Sequence, residues 1–458
     1  MTGDVHMVVQ VLVAVNVLMD VRIVVQAAVV ELVKEDVRED VKDIAVGLAV
    51  DIATNLTKQT GRSWQTGLAK NITFIVTKDC QLACKYCYLV GKNEKERMTW
   101  PIAKKAIDYV LARENEFKEQ SVIWDFIGGE PFLEIDLIDK ICDYVKTEMF
   151  RLNHHWFDSY RFSFSTNGIN YDSEKVQNFI KKNRDHLSIG ITIDGTKKKH
   201  DLNRIWKGKG ERGSYEDVVR NIPLWLKQFP DAATKVTISS ADIPYIKESV
   251  LHLYELGIHE VNINVVFEDV WNDGDDLLFE QQLIELADAI IEGEWYKNFA
   301  CSFYAEFIGK PLDPDIDNQN WCGAGKMLAV DAAGNFYPCT RFAAYSLREK
   351  NPIIIGNVND GIDKNLLRPF LSLDRTTQSP QKCIDCDVAS GCAWCQGENY
   401  DAAETNTIFQ RSTAICKMHK ARVRANNYYW NKLYRKLDKE EKRTEHDMSH
   451  PKPSNDPC

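Results

Sequence analysis

The sequence lacks three features that would each point to a different class of protein. It lacks an excess of positive charge, because its 458 residues carry a formal net charge of −10, and this argues against a nucleic-acid partner. It lacks a positively charged start to residues 1–19, so no secretory signal is predicted. Its first apolar run is interrupted by Gln10, Asn16 and Asp20 and is too short to span a membrane. We therefore predict a cytoplasmic protein with no nucleic-acid partner and no membrane partner.

Cysteine is the residue type in which the sequence is rich. There are 13 cysteines, an odd number, and most of them lie at short spacings from one another. In a chain without a predicted secretory signal, clustered cysteines indicate metal ligands in a reducing cytosol rather than disulfides.

The first cysteine motif follows a strand-like run at residues 72–77. Cys80, Cys84 and Cys87 have the spacing C-x3-C-x2-C. Soft thiolate ligands select iron–sulfur clusters or zinc. No fourth cysteine lies close by, whereas a structural zinc site normally closes with a fourth ligand. The motif therefore favours a [4Fe–4S] cluster with one open iron, and the alternatives are a zinc site or three unrelated core cysteines.

This spacing, with the aromatic Tyr86 directly before the third cysteine, resembles the signature of the radical S-adenosylmethionine (SAM) enzymes. The resemblance implies that the amino and carboxylate groups of SAM chelate the open iron. It also implies that an electron from the cluster cleaves SAM to a 5′-deoxyadenosyl radical. SAM and a reducing partner such as flavodoxin or ferredoxin are therefore expected.

Strand-like and amphipathic helical runs alternate from residue 72 to about residue 294. Strands are predicted at 72–77, 121–127, 160–165, 187–193, 235–239 and 261–267. Helices are predicted at 99–113, 135–151, 173–183, 215–228, 245–256 and 277–293. Six repeats imply an α/β fold with a parallel sheet and helices outside it, and are too few for a closed eight-stranded barrel. The resemblance implies the same architecture, a partial (β/α)6 radical SAM barrel with ligands at the carboxyl ends of its strands.

A glycine-rich motif follows the second predicted strand. Gly128 and Gly129 let the backbone approach a ligand closely, and Glu130 can accept hydrogen bonds from an ammonium group. With Pro131 these residues are similar to the GGEP motif with which radical SAM enzymes bind the amino group of SAM. By themselves they would also suit an ordinary turn.

Further candidate contacts to SAM come from the later strands. Ser165 and Asn167 follow the third strand, where the family places polar contacts to SAM, and Asn264 in the sixth strand is a candidate on the adenosine side. The fourth strand ends at Asp194, and Arg204 lies ten residues further on. The residues from 193 to 215 resemble the peptide-modifying branch of the family, in which the arginine faces the SAM carboxylate. A surface ion pair with Asp201 is the alternative for Arg204.

Seven more cysteines follow a Pro-, Asp- and Asn-rich boundary at residues 311–320. Their order is Cys322, Cys339, Cys383, Cys386, Cys392, Cys395 and Cys416. The pattern resembles the SPASM domain, a C-terminal extension with two auxiliary [4Fe–4S] clusters. It departs from the family pattern in having two residues, not three, between Cys392 and Cys395. Two zinc ribbons are the alternative.

The resemblance implies how these cysteines are shared, giving three [4Fe–4S] clusters in all. The outer auxiliary cluster would be held by Cys383, Cys386, Cys392 and Cys416. The inner one would be held by Cys322, Cys339 and Cys395. Some relatives supply a fourth inner ligand just before the first SPASM cysteine, but residues 311–321 contain no cysteine, so an open inner iron is expected. Cys301 is the alternative fourth ligand.

The chain is long enough for roughly two or three domains. We predict a small N-terminal α+β or helical segment at 1–70, the barrel at 71–310, the SPASM domain at 311–435 and a disordered tail at 436–458. The N-terminal segment suits either a reduced leader-peptide-binding element or a structural, dimerising element.

Taken together, the motifs resemble peptide maturases that target CXXX-repeat precursors and form thioethers. The predicted substrate is a Cys-rich ribosomal precursor peptide, and the sequence identifies no catalytic base. Two alternatives use the same scaffold, namely a carbon–carbon crosslink and formylglycine formation, whose enzymes close the inner cluster fully. A third is a non-catalytic iron–sulfur electron carrier, which would have no use for the SAM motifs.

Overall fold

The computed structural model describes residues 69–90, 95–268, 270–313, 317–318 and 322–437. These residues belong to one compact unit that begins at Ala69. The predicted N-terminal segment, apart from its last two residues, lies outside the described residues, and so does the predicted tail from residue 438 onwards.

Six parallel strands form the core of the fold, as predicted. They are β1 (Ala69–Thr77), β2 (Ser121–Gly128), β3 (Tyr160–Thr166), β4 (Leu187–Ile191), β5 (Ala233–Ile238) and β6 (Glu260–Val265). Strands β1 to β4 pair in sequence order, and β6 pairs with β5 and with a short strand β7 (Ala300–Cys301). The predicted α/β fold with a parallel sheet is confirmed.

A side chain joins the two sheets where β4 lies beside β5. The hydroxyl of Thr234 donates to the carbonyl of Ile191 over 2.7 Å and accepts the N–H of Ile193 over 3.2 Å. These bonds satisfy backbone groups that would otherwise be unpaired at the junction. The strand order therefore continues from β4 to β5 without a regular ladder.

The strands have one apolar face and one polar face. In β2, Val122, Trp124 and Phe126 are buried, whereas Ile123 and Asp125 are only half-buried. Alternate residues of a strand point to opposite faces, so the first set packs under the helices and the second lines the inner side of the partial barrel. The candidate site lies at the carboxyl ends of these strands.

Eight helices accompany the strands from residue 100 to residue 292. They are α1 (Trp100–Leu111), α2 (Ile135–Arg151), α3 (Glu174–Asn183), α4 (Lys197–Asn203), α5 (Tyr215–Val219), α6 (Ile222–Gln228), α7 (Ile246–Glu255) and α8 (Asp275–Glu292). The helix predicted at 215–228 is in fact two helices, separated at Arg220 and Asn221. At this break the side-chain amide of Asn221 donates to the carbonyl of Gly168 over 2.8 Å.

The C-terminal part extends the same sheet. Its strands are β8 (Leu328–Val330), β9 (Asn335–Tyr337), β10 (Gly356–Asn357) and β11 (Gly361–Ile362), and β8 pairs in parallel with β1. The sheet order is β11-β10-β9-β8-β1-β2-β3-β4. Five helices follow, α9 (Lys364–Leu371), α10 (Arg375–Gln378), α11 (Gln381–Ile384), α12 (Gln396–Ala402) and α13 (Cys416–Lys436).

The last helix ties the C-terminal part back to the barrel. Arg424 of α13 pairs with Glu280 of α8 over 2.6 Å, and both side chains are mostly buried. Two turns further on, Lys432 pairs with Asp288 over 2.8 Å. None of the helices in the described ranges is long and apolar enough to cross a membrane.

Candidate functional site

The loop that carries the first three cysteines lies directly after β1. Three backbone hydrogen bonds connect it to residues 203–207: the N–H of Ala83 donates to Ile205, that of Lys85 to Asn203, and that of Lys207 to Gln81. Their lengths are 2.8, 3.0 and 2.9 Å. The conformation of the cysteine loop is therefore fixed by the segment that carries Arg204.

Gly128 and Gly129 are needed for a close approach between two parts of the backbone. A Cβ on Gly128 would lie 2.2 Å from the carbonyl oxygen of Thr77, and one on Gly129 would lie 2.1 Å from that of Asp79. The N–H groups of Gly129 and Glu130 donate to these two carbonyls, each over 2.9 Å. In the structure the two glycines thus allow the backbone after β2 to lie against the start of the cysteine loop.

The carboxylate of Glu130 is buried and accepts three hydrogen bonds from the protein. Its Oε1 accepts the hydroxyl of Thr166 over 2.7 Å and the N–H of Phe132 over 3.1 Å, and its Oε2 accepts the N–H of Asn167 over 2.7 Å. Burial raises the pKa of this carboxyl, and the three donors partly offset that rise. A carboxylate accepts about four hydrogen bonds, so one acceptor position remains on Oε2.

Tyr86, Asp194 and Arg204 form a second buried network. The Tyr86 hydroxyl donates to Oδ2 of Asp194 and accepts Nη1 of Arg204 over 3.0 Å. Burial would raise the pKa of Asp194, but the positive charges of Lys199 and Arg204 outweigh it and lower that pKa. The network brings together a cysteine-loop residue, a strand end and the predicted carboxylate-binding arginine.

One donor of Arg204 points to no acceptor among the described residues. Its Nε is buried and has no hydrogen-bond partner in that part of the chain, and only 6% of the residue is exposed. The alternative surface pairing is not formed, because Asp201 instead pairs with Lys197 over 2.9 Å and accepts the N–H of Tyr215 over 2.9 Å. An unpaired buried guanidinium N–H is costly unless an anionic or polar group meets it.

The remaining SAM candidates differ in their surroundings. Asn167 contacts the cysteine loop, since its Nδ2 donates to Gln81 over 3.0 Å and lies 3.8 Å from the sulfur of Cys80. Ser165 is half-buried at the end of β3, and Asn264 is exposed on β6. The sequence did not single out Thr166, although its place between two predicted contacts at a strand end was a usable signal.

The three predicted inner ligands lie together. The thiols of Cys322 and Cys395 share a hydrogen bond, which lowers the pKa of Cys395 and raises that of Cys322. Cys339 interacts electrostatically with both, and burial raises its pKa to about 12. The N–H of Gln396 at the start of α12 donates to the sulfur of Cys322 over 3.4 Å.

Three of the four predicted outer ligands, Cys383, Cys386 and Cys392, lie near one another at a second place. Cys392 accepts Nη2 of Arg411 over 3.2 Å, and its pKa is raised by burial and by the nearby thiols of Cys383 and Cys386. Cys416 is the first residue of α13.

Cys301, the alternative fourth inner ligand, lies in β7 in different surroundings. It is buried, which raises its pKa to about 12, and the charged side chain near it is Arg422. It interacts electrostatically with Tyr254, Tyr304 and Tyr429. Its thiol therefore belongs to a tyrosine-lined part of the core.

Within the described ranges, one group of three metal-type ligands has all its atoms within 4.8 Å, and it consists of Glu114, His154 and His155. There His154 accepts the N–H of Trp156 at Nδ1, so its proton lies on Nε2 and blocks coordination.

Comparison with known proteins gives the class of the barrel. The family model of the radical SAM superfamily matches residues 74–256. That match and the parallel strands identify these residues as a radical SAM domain.

Three similar proteins extend the comparison. An uncharacterized protein of Methanocaldococcus jannaschii is 28% identical over 294 residues, which are 64% of this chain and 89% of that protein. A serine-type anaerobic sulfatase-maturating enzyme of Bacteroides thetaiotaomicron is 22% identical over 344 residues, 68% of this chain and 78% of that enzyme. The solved structure of native anSMEcpe with bound AdoMet is 17% identical and covers 81% of this chain and 99% of its own, with a TM-score of 0.60. This last likeness shows that the fold extends over the C-terminal part.

Proposed function

We propose that this chain is a radical SAM maturase that installs thioether crosslinks between cysteine thiols and backbone or side-chain carbons of a ribosomally synthesised peptide. The observation that carries this proposal is the inner set of three cysteines, Cys322, Cys339 and Cys395, with Cys301 in separate surroundings. A cluster held by three thiolates leaves one position for a substrate thiol, and coordinated thiols are deprotonated by metals.

The first cysteine loop and the two buried networks fit SAM and its cluster. Cys80, Cys84 and Cys87 would hold a [4Fe–4S] cluster that, with SAM bound, supplies a 5′-deoxyadenosyl radical. The free acceptor position on Glu130 suits the SAM ammonium group, and the unpaired Nε–H of Arg204 suits its carboxylate. Both groups are buried, so water does not compete for them. The likeness to a structure that holds AdoMet supports the assignment.

The proposed reaction balances in atoms and electrons. The acceptor carbon of the peptide would give up a hydrogen atom to the radical that bound SAM supplies, and the cysteine thiol would give up a proton as the carbon–sulfur bond forms. The one electron that must then leave the peptide would pass to the auxiliary clusters that the inner and outer cysteine sets would hold. A flavodoxin or ferredoxin would reduce the first cluster for the next turnover.

A second candidate is the oxidation of a cysteine or serine in a protein to formylglycine. The observation that favours it is the similarity to a sulfatase-maturating enzyme over 68% of this chain. The two functions differ in what they require of the inner cluster. Thioether formation by thiolate capture needs an open position on that cluster, whereas formylglycine formation does not.

Co-expression with the product of the neighbouring small open reading frame tests the proposal. Mass spectrometry of that peptide should show the loss of two hydrogens per crosslink, together with the loss of a thiol that iodoacetamide can label. The control is the enzyme with Cys80, Cys84 and Cys87 replaced by Ala, which should leave the peptide unmodified. An aldehyde that reacts with hydrazide would instead indicate formylglycine, and an unmodified peptide with the intact enzyme would refute the proposal for that peptide.

A further inference from the structure

A buried charged cluster lies between the inner cysteines and the barrel. At its centre is Arg341, two residues after Cys339, and its Nη2 donates to Glu268 over 3.2 Å and to Glu398 over 2.8 Å. Glu268 follows the sixth barrel strand. Glu398 lies in α12, the helix that begins directly after Cys395. Between 5% and 16% of each of these three side chains is exposed, so the pairs are weakly screened by water.

The guanidinium of Arg341 is also held against the first cysteine loop. Its carbon lies 4.8 Å from the ring centroid of Tyr88, the residue directly after Cys87. On the other side, a Cβ on Gly397 would lie 2.3 Å from the Cβ of Arg341. Only glycine permits this contact without a shift, so the Arg341 side chain is packed at its Cβ by residue 397 and at its guanidinium by Tyr88.

The backbone around Arg341 and Glu398 lies close to the inner sulfurs. The N–H of Arg341 acts to lower the pKa of Cys339 against the effect of burial, and the N–H groups of Gly397 and Glu398 act to lower that of Cys395. The Nε of Arg341 is buried and has no partner among the described protein groups. Arg341 therefore lies beside the inner cysteine set and contacts both the first cysteine loop and the segment that follows β6.

We infer that Arg341 is a positioning residue, which fixes the inner cysteine set against both the first cysteine loop and the sixth barrel strand and places a permanent positive charge beside that set. This inference rests on the proposed function, because it assumes that the set holds a cluster. Reduction potentials of such clusters depend on net charge and on hydrogen bonds to the sulfurs. An arginine remains charged in proteins at any working pH, so its effect is constant.

The sign of the effect on the potential provides the test. Arg341→Gln removes a positive charge and should lower the midpoint potential of one auxiliary cluster, since the reduced form is the more negative one. Glu268→Gln removes a negative charge from the same cluster of side chains and should raise that potential. Arg341→Lys keeps the charge and should restore the potential largely, although it cannot reproduce the planar contacts to Tyr88 and both carboxylates.

Arg348→Gln is the matched control. Arg348 also donates to Glu398, over 2.9 Å, but its side chain is 39% exposed and its partners are Glu398 and Asp401. The charge removed is the same, yet water screens it, so the shift should be much smaller. The measurement is a redox titration of the anaerobically reconstituted full chain, followed by electron paramagnetic resonance.

Activity gives a second readout. With a peptide that the unaltered enzyme modifies, Arg341→Gln should lower the crosslinks formed per 5′-deoxyadenosine by about ten- to a hundredfold, because misplacement by about 1 Å has costs of this order. Equal shifts in the Arg341→Gln and Arg348→Gln variants, or shifts of the same sign in Arg341→Gln and Glu268→Gln, would overturn the inference. An unaltered chain that lacks auxiliary clusters would instead refute the proposed function.

Discussion

Replacing Glu130 by Gln tests whether its carboxylate both ties two strand ends together and binds SAM. A glutamine has one oxygen and one NH2 group where the glutamate has two oxygens. If the NH2 group takes the place of Oε2, it faces the N–H of Asn167, which now lies 2.7 Å from that oxygen. If it takes the place of Oε1, it faces the N–H of Phe132, now at 3.1 Å. Either orientation leaves one buried N–H without an acceptor.

The size of the effect follows from these contacts. Leaving a buried donor unsatisfied costs about 1–3 kcal/mol, and this should lower the apparent melting temperature by roughly 1–5 °C. A hydrogen bond to a charged group is worth about 1.5–3 kcal/mol, so SAM affinity should fall about ten- to a hundredfold. The cysteine ligands are unchanged, and the iron content should stay the same.

The assay combines anaerobic thermal unfolding with equilibrium binding of SAM. Glu134→Gln is the matched control, since Glu134 pairs over 3.0 Å with Arg97, whose side chain is half exposed. Such a pair is worth about 0–1 kcal/mol, so this variant should behave much like the unaltered chain. If Glu130→Gln melts at the same temperature and binds SAM as tightly as the control, both roles assigned to the carboxylate are wrong.

Three further predictions concern the cysteines and a buried histidine. Replacing Cys80, Cys84 and Cys87 together by Ala should reduce the iron content from about twelve to about eight atoms per chain and abolish SAM cleavage. Iron analysis and chromatography of 5′-deoxyadenosine measure the two effects. Loss of all the iron would contradict separate clusters. Cys301→Ala should leave iron content and activity unchanged, and loss of one cluster would mean that this thiol closes the inner site. Burial lowers the pKa of His200 to about 3. The neutral imidazole therefore contributes its full stabilisation above pH 6.5, the pKa of the unfolded state, and the free energy of unfolding should fall by about 1 kcal/mol from pH 6.5 to pH 5.5. In urea titrations His200→Gln should remove this loss, and an unchanged loss would refute the assignment.

The barrel was predictable from the sequence because its strands and helices have regular apolar periods. Strand β2, for example, alternates half-buried and buried residues from Ser121 to Ile127, and helix α2 has the same bounds in the structure as in the prediction. Helix α4 was missed, since seven residues give too few turns for an apolar face to be visible. Strand β8 has three residues, and its partner β1 lies far away in the sequence, so no local pattern indicates the pair.

The candidate site was predictable as a set of residues but not as a set of contacts. The spacing of Cys80, Cys84 and Cys87 and the glycines before Glu130 are local signals, and they were sufficient to select the motifs. The partners of Glu130 were not predictable, because its Thr166 and Asn167 donors come from another strand end. The Arg341 cluster was missed for the same reason, since its two carboxylates lie on elements that are distant in the sequence.

The two buried networks make the proposed SAM pocket part of the barrel's own framework. Glu130 joins the ends of β2 and β3, and Tyr86 joins the cysteine loop to Asp194, which lies three residues beyond the end of β4. A loop that carries three thiols needs other contacts to fix its conformation. Here these contacts are the backbone hydrogen bonds to segment 203–207 and the hydrogen bond from Tyr86 to Asp194. The same hydrogen bonds that stabilise the strand ends therefore fix the loop before any cofactor binds. A cluster and SAM would then meet preformed ligands, and little binding energy would be spent on ordering the site.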